Sequence, residues 1–223
     1  MKLSRGVWAL IIICLVIILD QALKIWVKTH FYLGEEVDIL PFFKLRFIEN
    51  PGMAFGMQLG SKIFLTIFRV AVICLLAWYI LRLRKVKRVP MGYVVCIAMI
   101  IAGAAGNIFD SLFYGEIFNN PMPPATATFV PWGDGYGTFG QGRVVDMLYF
   151  PLFSFTWPEW MPFVGGDRFS FFDPVFNLAD ASISIGIIAL LLFYRRYVMV
   201  LSDADVEKLE TERQEKLEKK NKE

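Results

Sequence analysis

Four long apolar segments dominate the pattern of hydrophobic and polar positions along this chain of 223 residues. They lie at about residues 7–27, 63–81, 91–109 and 178–197. A helix that crosses a bilayer needs about 20 mostly apolar residues, because the hydrocarbon core is about 30 Å thick. We therefore predict a mainly α-helical membrane protein, a bundle of four transmembrane helices whose two termini lie on the same side.

Basic residues near the ends of these segments indicate the orientation of the bundle. They form three clusters, Lys2 with Arg5, then Arg82, Arg84, Lys85, Lys87 and Arg88, then Arg195 with Arg196. Short cytoplasmic loops of membrane proteins carry an excess of Lys and Arg. The clusters share one side of the predicted bundle, so we expect cytoplasmic N- and C-termini, with the connections 28–62 and 111–177 outside.

The two outer connections predict different structures. Apolar and aromatic residues at 37–48 suit short strands, and Asn50-Pro51-Gly52 favours a turn, so we expect a small extracytoplasmic β-sheet. Residues 115–142 and 150–172 show no sustained helical or strand period, which predicts irregular structure at the membrane interface. Three tryptophans suit that interface, namely Trp132, Trp157 and Trp160.

Composition supports a membrane domain and excludes some partners. The hydrophobic fraction of 56% is high for a soluble domain. The net charge of +2 is too small, and too evenly mixed, to indicate a nucleic-acid partner. We predict one integral membrane domain at residues 1–200 and a charged cytoplasmic tail at 201–223, which is either a solvated helix or disordered.

Residue types that hold metals or act as activated nucleophiles are scarce. Cys14, Cys74 and Cys96 each lie in an apolar stretch, where free cysteine usually packs as a small apolar residue. The single histidine, His30, has too few companions for a zinc site. No Gly-x-Ser-x-Gly elbow supports a Ser-His-Asp triad. We therefore expect neither a metal nor another cofactor.

Polar residues cluster at the predicted outer ends of three helices. Ionisable residues in spanning helices cost several kcal/mol unless they are paired or face a cavity, so each is a functional candidate. The pairs are Asp20 with Lys24, Asn107 with Asp110, and Asn177 with Asp180. Spacings of three or four residues place each pair on one helical face. Small residues of the third helix would let another helix approach closely, namely Ala98, Ala102, Gly103, Ala105 and Gly106.

Each pair also has a structural interpretation. Asp20 with Lys24 could be an internal salt bridge, Asn177 a helix cap, and Asp110 a water-exposed interfacial residue. Together, however, the pairs favour a site. Two aspartates held close together cannot both ionise easily, so one can activate water while the other, protonated, polarises a carbonyl. Such chemistry hydrolyses a peptide bond without a cofactor.

Five motifs in order resemble those of bacterial lipoprotein signal peptidase, signal peptidase II. They are Asp20-Gln-x-x-Lys24, Asn50-Pro51-Gly52-Met53-Ala54-Phe55-Gly56, Gly106-Asn107-Ile108-Phe109-Asp110, Val144-Val145-Asp146 and Phe176-Asn177-Leu178-Ala179-Asp180. The resemblance covers about residues 3–196. It implies a membrane-embedded aspartic endopeptidase that removes signal peptides from diacylglyceryl-modified prolipoproteins, cutting just before the lipobox cysteine.

The resemblance also implies the roles of the site residues. Asp146 and Asp180 would form the catalytic dyad. Seven further residues would support the site or hold substrate, namely Asp20, Lys24, Asn50, Gly52, Asn107, Asp110 and Asn177. Of the dyad, Asp146 is implied by the family pattern alone, because we place it in a loop rather than a span. We expect a monomer in the bacterial inner membrane, with its active site near the periplasmic face.

The chain departs from the family pattern in two places. Ser111 follows Asp110, where family members usually carry arginine, and we hypothesise that Arg143 or Arg69 supplies that charge. The connection between Asp110 and Asp180 is also longer than is typical, which suggests an added flap over the site. An ion or proton transporter is the alternative function, although the cytoplasmic halves of the predicted spans are almost wholly apolar.

Overall fold

Helices occupy all four predicted apolar segments, and a further helix forms in the tail. The computed structural model describes residues 3–51, 62–83, 86, 89–171, 173–198, 200 and 202–220. The helices are α1 (Arg5–His30), α2 (Lys62–Leu83), α3 (Met91–Ile117), α4 (Leu178–Ala189) and α5 (Asp203–Lys220). After α4 the chain continues through a π-helical segment, Leu190–Tyr194, and a 3-10 segment, Arg195–Tyr197.

Within the described ranges, three helical stretches are long and apolar enough to cross a membrane. They are Arg5–His30, Met91–Ile117 and Leu178–Tyr197, and α2 contributes a shorter apolar stretch, Val70–Leu83. Spanning helices satisfy every backbone hydrogen bond internally, which is why long apolar runs fold in this way in lipid. These helices confirm the membrane class and its mainly helical character. Of the two forms expected for the tail, the helix is the one observed, as α5.

The chain divides into two compact units. Unit 1 comprises Met1–Ile18, Phe68–Gly106 and Ala179–Glu223. Its core is apolar and includes buried Leu83, Tyr93 and Tyr197, and the buried side chain of Val206 joins α5 to it. The Tyr79 hydroxyl lies 2.8 Å from the Tyr93 hydroxyl and donates to the Tyr197 carbonyl oxygen at 3.2 Å. Unit 1 is thus held mainly by apolar packing with a small tyrosine network.

Small residues bring α3 and α4 together inside unit 1. A Cβ atom at Gly103 would collide with the Ala179 carbonyl oxygen and the Ile183 side chain. At Gly186 it would meet the backbone of Cys96. The Ser182 hydroxyl donates to the Met99 carbonyl oxygen at 2.9 Å. The close approach predicted for the small residues of α3 is therefore confirmed at Gly103.

Unit 2, which comprises Leu19–Ile67 and Asn107–Leu178, contains a four-stranded antiparallel sheet. Its strands are β1 (Glu36–Leu40), β2 (Phe43–Asn50), β3 (Val144–Tyr149) and β6 (Val175–Phe176), in the order β1-β2-β3-β6. The small predicted sheet is thus confirmed. Apolar side chains from helices and sheet form one core, namely Val27, Phe31, Phe47, Tyr114, Phe118, Ala127, Val145 and Met147.

The chain between α3 and β3 returns along the last turns of α3. Backbone N–H groups of Gly137, Gly140 and Gly142 donate to the carbonyl oxygens of Gly115, Leu112 and Ser111. A Cβ atom at Gly142 would overlap the Asp110 carbonyl oxygen, so only glycine permits this approach. These bonds stabilise α3 as far as Ile117, well beyond residue 109, where we expected the helix to end.

Two expectations for the long connection are wrong. Asp146 lies in strand β3 rather than in a loop. Residues 150–172, expected to be irregular, contain β4 (Phe153–Thr156) and β5 (Arg168–Phe171), which pair as a separate two-stranded sheet. Each of these strands has only four residues, so the alternation of apolar and polar positions is too short to stand out between proline and glycine residues.

Candidate active site

A buried polar cluster in unit 2 joins α1, α3, β3 and the start of α4. On α1, Asp20 and Lys24 are one helical turn apart, and both are at most 1% exposed. On α3, Asn107 and Asp110 share a face for the same reason, and both are buried. Helical spacing therefore aims four polar side chains inward, which is the arrangement that the sequence predicts.

Lys24 is the central cation of this cluster. Its ammonium nitrogen lies 2.9 Å from Asp20 Oδ2 and 2.9 Å from Asp110 Oδ2. It also donates to Asn107 Oδ1 at 2.9 Å. These three acceptors match the three N–H donors of a lysine ammonium group. A charge removed from water in this way is tolerated because it is both paired and hydrogen-bonded.

Asp110 connects the helices to the strand that carries Asp146. Its Oδ1 accepts a hydrogen bond from Gln21 Nε2 at 2.8 Å, and its Oδ2 accepts one from the backbone N–H of Val145 at 3.3 Å. Gln21 is oriented in turn by the Tyr114 hydroxyl, which donates to its Oε1 at 3.1 Å. The position of β3 at Asp146 is therefore linked to the ion pairs of Lys24.

Asn177 extends the network to Asp146. Its Nδ2 donates to Asn107 Oδ1 at 3.1 Å and to Asp146 Oδ1 at 2.6 Å, and its side chain is fully buried. Asp146 is 3% exposed and lies on β3, where it pairs with Ile48 of β2. Hydrogen bonds thus run without a break from Lys24 through Asn107 and Asn177 to the carboxylate of Asp146.

The remaining predicted residues have different surroundings. Asp180 lies in the first turn of α4, three residues after Asn177; it is partly buried and belongs to unit 1. Asn50 ends β2 and pairs with Val144. Gly52 lies outside the described residues, as does the side chain of Arg69. The Ser111 hydroxyl donates to the Asn107 carbonyl oxygen at 2.9 Å, within its own helix.

Arg143 belongs to a second buried charge cluster, which the sequence analysis did not anticipate. Its Nη1 lies 2.9 Å from Glu49 Oε2, and the other oxygen of Glu49 forms an ion pair with the Lys28 ammonium group. The Lys28 ammonium also lies 5.1 Å from the centroid of the Phe118 ring, a cation–π distance. The guanidinium of Arg143 lies over the Tyr136 ring at 4.9 Å.

Tyr136 completes this second cluster. Its hydroxyl accepts a hydrogen bond from the Arg143 backbone N–H at 2.7 Å. Burial raises the pKa of Tyr136 to about 12, so the phenol stays neutral beside Glu49 at ordinary pH. Lys28 follows Lys24 by four residues and so shares its face of α1. That spacing is the sequence signal that could have identified Lys28 as a buried cation.

Similar folds define the class of protein to which this site belongs. Two solved structures described as bacterial membrane enzymes, determined by the in meso method at 2.3 Å and 1.9 Å resolution, superpose with TM-scores of 0.56 and 0.54. Each is 22% identical in sequence; they cover 86% and 82% of this chain, and 89% and 90% of their own. At this identity the likeness concerns the fold alone, which is that of a membrane enzyme.

Sequence relatives identify the family. The family described as Signal peptidase (SPase) II matches residues 12–196. A lipoprotein signal peptidase of Porphyromonas gingivalis is 46% identical over 202 residues, covering 91% of this chain and 89% of the relative. One of Amoebophilus asiaticus is 36% identical over 197 residues, covering 85% and 79%. The chain belongs to the signal peptidase II family, a family of peptidases, and is a multi-pass membrane protein.

Family membership confirms the resemblance drawn from the five sequence motifs. It favours a peptidase over the ion or proton transporter that the intramembrane aspartates also suggested. The matched residues, 12–196, include most of α1 and the whole of α2, α3 and α4.

Proposed function

We propose that this protein is an aspartic endopeptidase that removes the signal peptide from diacylglyceryl-modified prolipoproteins, cleaving before the lipobox cysteine. Curated relatives of high coverage are named lipoprotein signal peptidases, which supports this substrate class. The catalytic dyad we propose is Asp146 with Asp180, on the family's motif pattern. No cofactor takes part, and the enzyme acts as a monomer.

The observation that carries the proposal is the buried network that ends on Asp146. Asn177 Nδ2 donates to one oxygen of this carboxylate at 2.6 Å, which orients the group for acid–base chemistry. In the proposed reaction, one aspartate takes a proton from water while the water oxygen attacks the scissile carbonyl carbon. The other aspartate, protonated, donates its proton to the carbonyl oxygen.

Collapse of the tetrahedral intermediate completes the reaction. The carbon–nitrogen bond breaks as the leaving amine takes a proton from the aspartate that had deprotonated the water. A hydroxyl group of the intermediate returns its proton to the other aspartate, so the new carboxyl group forms and the pair again holds one proton. Asp20, Lys24, Asn107, Asp110 and Asn177 act as positioning residues in this scheme. Asn50, Gly52 and Arg143 are proposed to support the site or to hold substrate, and Arg143 remains a hypothetical replacement for the usual arginine at Ser111.

The proposed topology follows from the charge pattern. Four spans, with α2 as the second, place both termini in the cytoplasm of a bacterium, because the basic clusters flank the same ends of the helices. The active site then lies near the periplasmic face of the inner membrane. This is the side on which a lipid-modified signal peptide would present its cleavage site to the enzyme.

The test replaces each aspartate separately by asparagine, which keeps its size and removes its acid–base function. We expect Asp146→Asn and Asp180→Asn each to reduce cleavage of a diacylglyceryl-modified prolipoprotein at least ~100-fold. Asp38→Asn, at an exposed carboxylate of β1, is the matched control and should keep wild-type activity. Thermal unfolding of each purified variant separates catalytic loss from misfolding. Full activity in either variant would remove that residue from the dyad.

A further inference from the structure

The hairpin of β4 and β5 has one face made of four phenylalanines. In the antiparallel register, Phe153 pairs with Phe171 and Phe155 with Phe169. Paired residues of an antiparallel ladder lie on the same face, and so do residues two apart along a strand. The opposite face carries the alternating positions, Thr156 among them. This hairpin is therefore strongly amphipathic.

The aromatic face is well ordered but poorly covered. The rings of Phe153 and Phe171 stack with centroids 4.9 Å apart, and those of Phe155 and Phe169 are 5.2 Å apart. The four phenylalanines are nevertheless 39–53% exposed. A two-stranded hairpin is only marginally stable in water on its own. Within the part of the chain that the structure describes, its apolar face thus lacks the cover that would stabilise it.

The tip of the hairpin exposes further aromatic residues. Trp160 is 79% exposed and Phe163 is 103% exposed, so the Phe163 ring projects entirely beyond its neighbours. Backbone hydrogen bonds close the tip, including Trp157 N–H to the Asp167 carbonyl oxygen at 2.9 Å. Phe163 also has a positive φ of 71°, a backbone conformation that is unfavourable for a bulky residue. The projection of this ring therefore belongs to a defined turn.

A short connection joins the hairpin to a helical stretch that is long enough to cross a membrane. Residues 172–177 separate β5 from Leu178–Tyr197, one of the apolar helical stretches long enough to span. At no more than ~3.5 Å per residue, the seven steps from Phe171 to Leu178 reach at most about 24 Å. Exposed side chains of this stretch, such as Ile188 and Leu192, are themselves apolar and suited to lipid.

Composition selects the lipid interface as the surface that covers the hairpin. Aromatic side chains concentrate at the level of the headgroups in membrane proteins. Between residues 150 and 171 the only ionisable side chains of Asp, Glu, Lys or Arg are Glu159, Asp167 and Arg168. The exposed aromatic surface thus carries few charges that would oppose its burial in lipid.

We propose that the phenylalanine face and the tip residues Trp160 and Phe163 insert into the bilayer interface. The hairpin lies in sequence between Asp146 and Asp180, so this contact would anchor the connection that joins the two proposed catalytic residues. The long connection is thus a membrane anchor rather than a freely moving flap. This inference does not depend on the assignment of the dyad.

The test measures the depth of a single label on each face of the hairpin. Cysteine is introduced at Phe163 or, as the matched control, at Thr156 on the polar face, in a full chain whose three native cysteines are replaced. A fluorescent label at each position is examined in phosphatidylcholine vesicles that contain brominated lipids. We expect bromolipid to quench the label at 163 at least threefold more strongly than the label at 156, and aqueous iodide to show the reverse order.

A second measurement keeps the test decisive if the cysteine-free chain does not fold. The wild-type chain and Trp160→Phe are compared directly by bromolipid quenching of tryptophan fluorescence. The proposal predicts that the fluorescence component lost in Trp160→Phe is accessible to bromolipid. Equal quenching at 163 and 156, or a Trp160 component open only to iodide, would overturn it.

Two other experimental results would also contradict the proposal, because each would assign the aromatic face to an occupant other than the bilayer. Protection of the label at 163 that appears only on addition of diacylglyceryl-modified prolipoprotein would assign the face to the lipid of the substrate. Protection that appears only as the protein density in the vesicles rises would assign it to a second copy of the chain. Lipid quenching that is independent of both supports the bilayer as the occupant.

Discussion

Unit 1 and unit 2 bury different kinds of side chain. In unit 1 the buried positions around Leu83 and Tyr93 are apolar, with a few hydroxyl contacts among them. Unit 2 buries Lys24 and Lys28 together with the carboxylates that neutralise them. Apolar packing tolerates changes that conserve volume, whereas a buried ion pair tolerates the loss of neither partner, because the remaining charge stays out of water. The two units should therefore respond to mutation in different ways.

The largest expected effect is in unit 2, at Lys24. Lys24→Met keeps an unbranched side chain but leaves Asp20 and Asp110 buried without their cation. Removal of one partner of a buried pair typically costs ~3–5 kcal/mol, so we expect a loss of this size in the free energy of unfolding. Thermal unfolding in detergent micelles measures it. Lys44→Met, at an exposed pair with Glu36, is the control and should change stability far less.

The double variant Lys24→Met/Asp110→Asn sharpens this prediction. Removal of one unpaired carboxylate should recover part of the stability lost in Lys24→Met, since less uncompensated charge remains buried. If Lys24→Met unfolds within ~1 kcal/mol of wild type, the cluster does not contribute as a buried ion pair.

A second effect, of similar origin, is expected at Glu49. Glu49→Gln keeps the shape of the side chain but removes the charge shared by Lys28 and Arg143. Because Arg143 is partly exposed, solvent relieves part of the loss, and we expect a destabilisation of ~2–3 kcal/mol. Chemical denaturation measures it. The control is Glu36→Gln in the same sheet, and equal effects at the two positions would contradict the importance of the second cluster.

In unit 1 we expect substitutions that add side-chain volume to reduce the free energy of unfolding. Gly103→Ala places a methyl group against the Ala179 carbonyl oxygen, so α3 and α4 must move apart. Overpacking of this kind costs ~1–3 kcal/mol. Thermal unfolding should show the loss, and Gly103→Ser should be at least as damaging because it is larger. A neutral Gly103→Ala would show that these two helices separate without penalty.

The smallest effect is expected from the tyrosine network of unit 1. Tyr79→Phe removes the hydroxyl that contacts Tyr93 at 2.8 Å and the Tyr197 carbonyl oxygen at 3.2 Å, but it keeps the ring. A neutral hydrogen bond contributes ~0.5–1.5 kcal/mol net, and we expect a loss in that range. Differential scanning calorimetry measures it. A loss above ~3 kcal/mol would contradict this prediction, because the tyrosine hydrogen bonds would then contribute as much to stability as the ion pairs of unit 2.

The helices of the fold were largely predictable from the sequence, whereas their ends were not. Apolar length predicts a helix in lipid because the backbone must satisfy its own hydrogen bonds there. The end of α3 at Ile117 depends on a returning loop whose glycine N–H groups bond to the helix. Those glycines lie well beyond Ile117 along the chain, so the residues around Ile117 do not reveal the contact. The strand at Asp146 likewise requires pairing with β2, a contact between residues almost a hundred positions apart.

The sequence by itself determined the membrane class, the inward face of Asp20 with Lys24 and of Asn107 with Asp110, and the family to which the motifs point. Those features rest on length, spacing and order, which are local properties of the chain. Only the tertiary structure decided that Asn177 bonds to Asp146, that Glu49 joins Lys28 to Arg143, and that four phenylalanines share one face of a hairpin. Each of these contacts joins residues far apart in sequence, where spacing carries no information about distance.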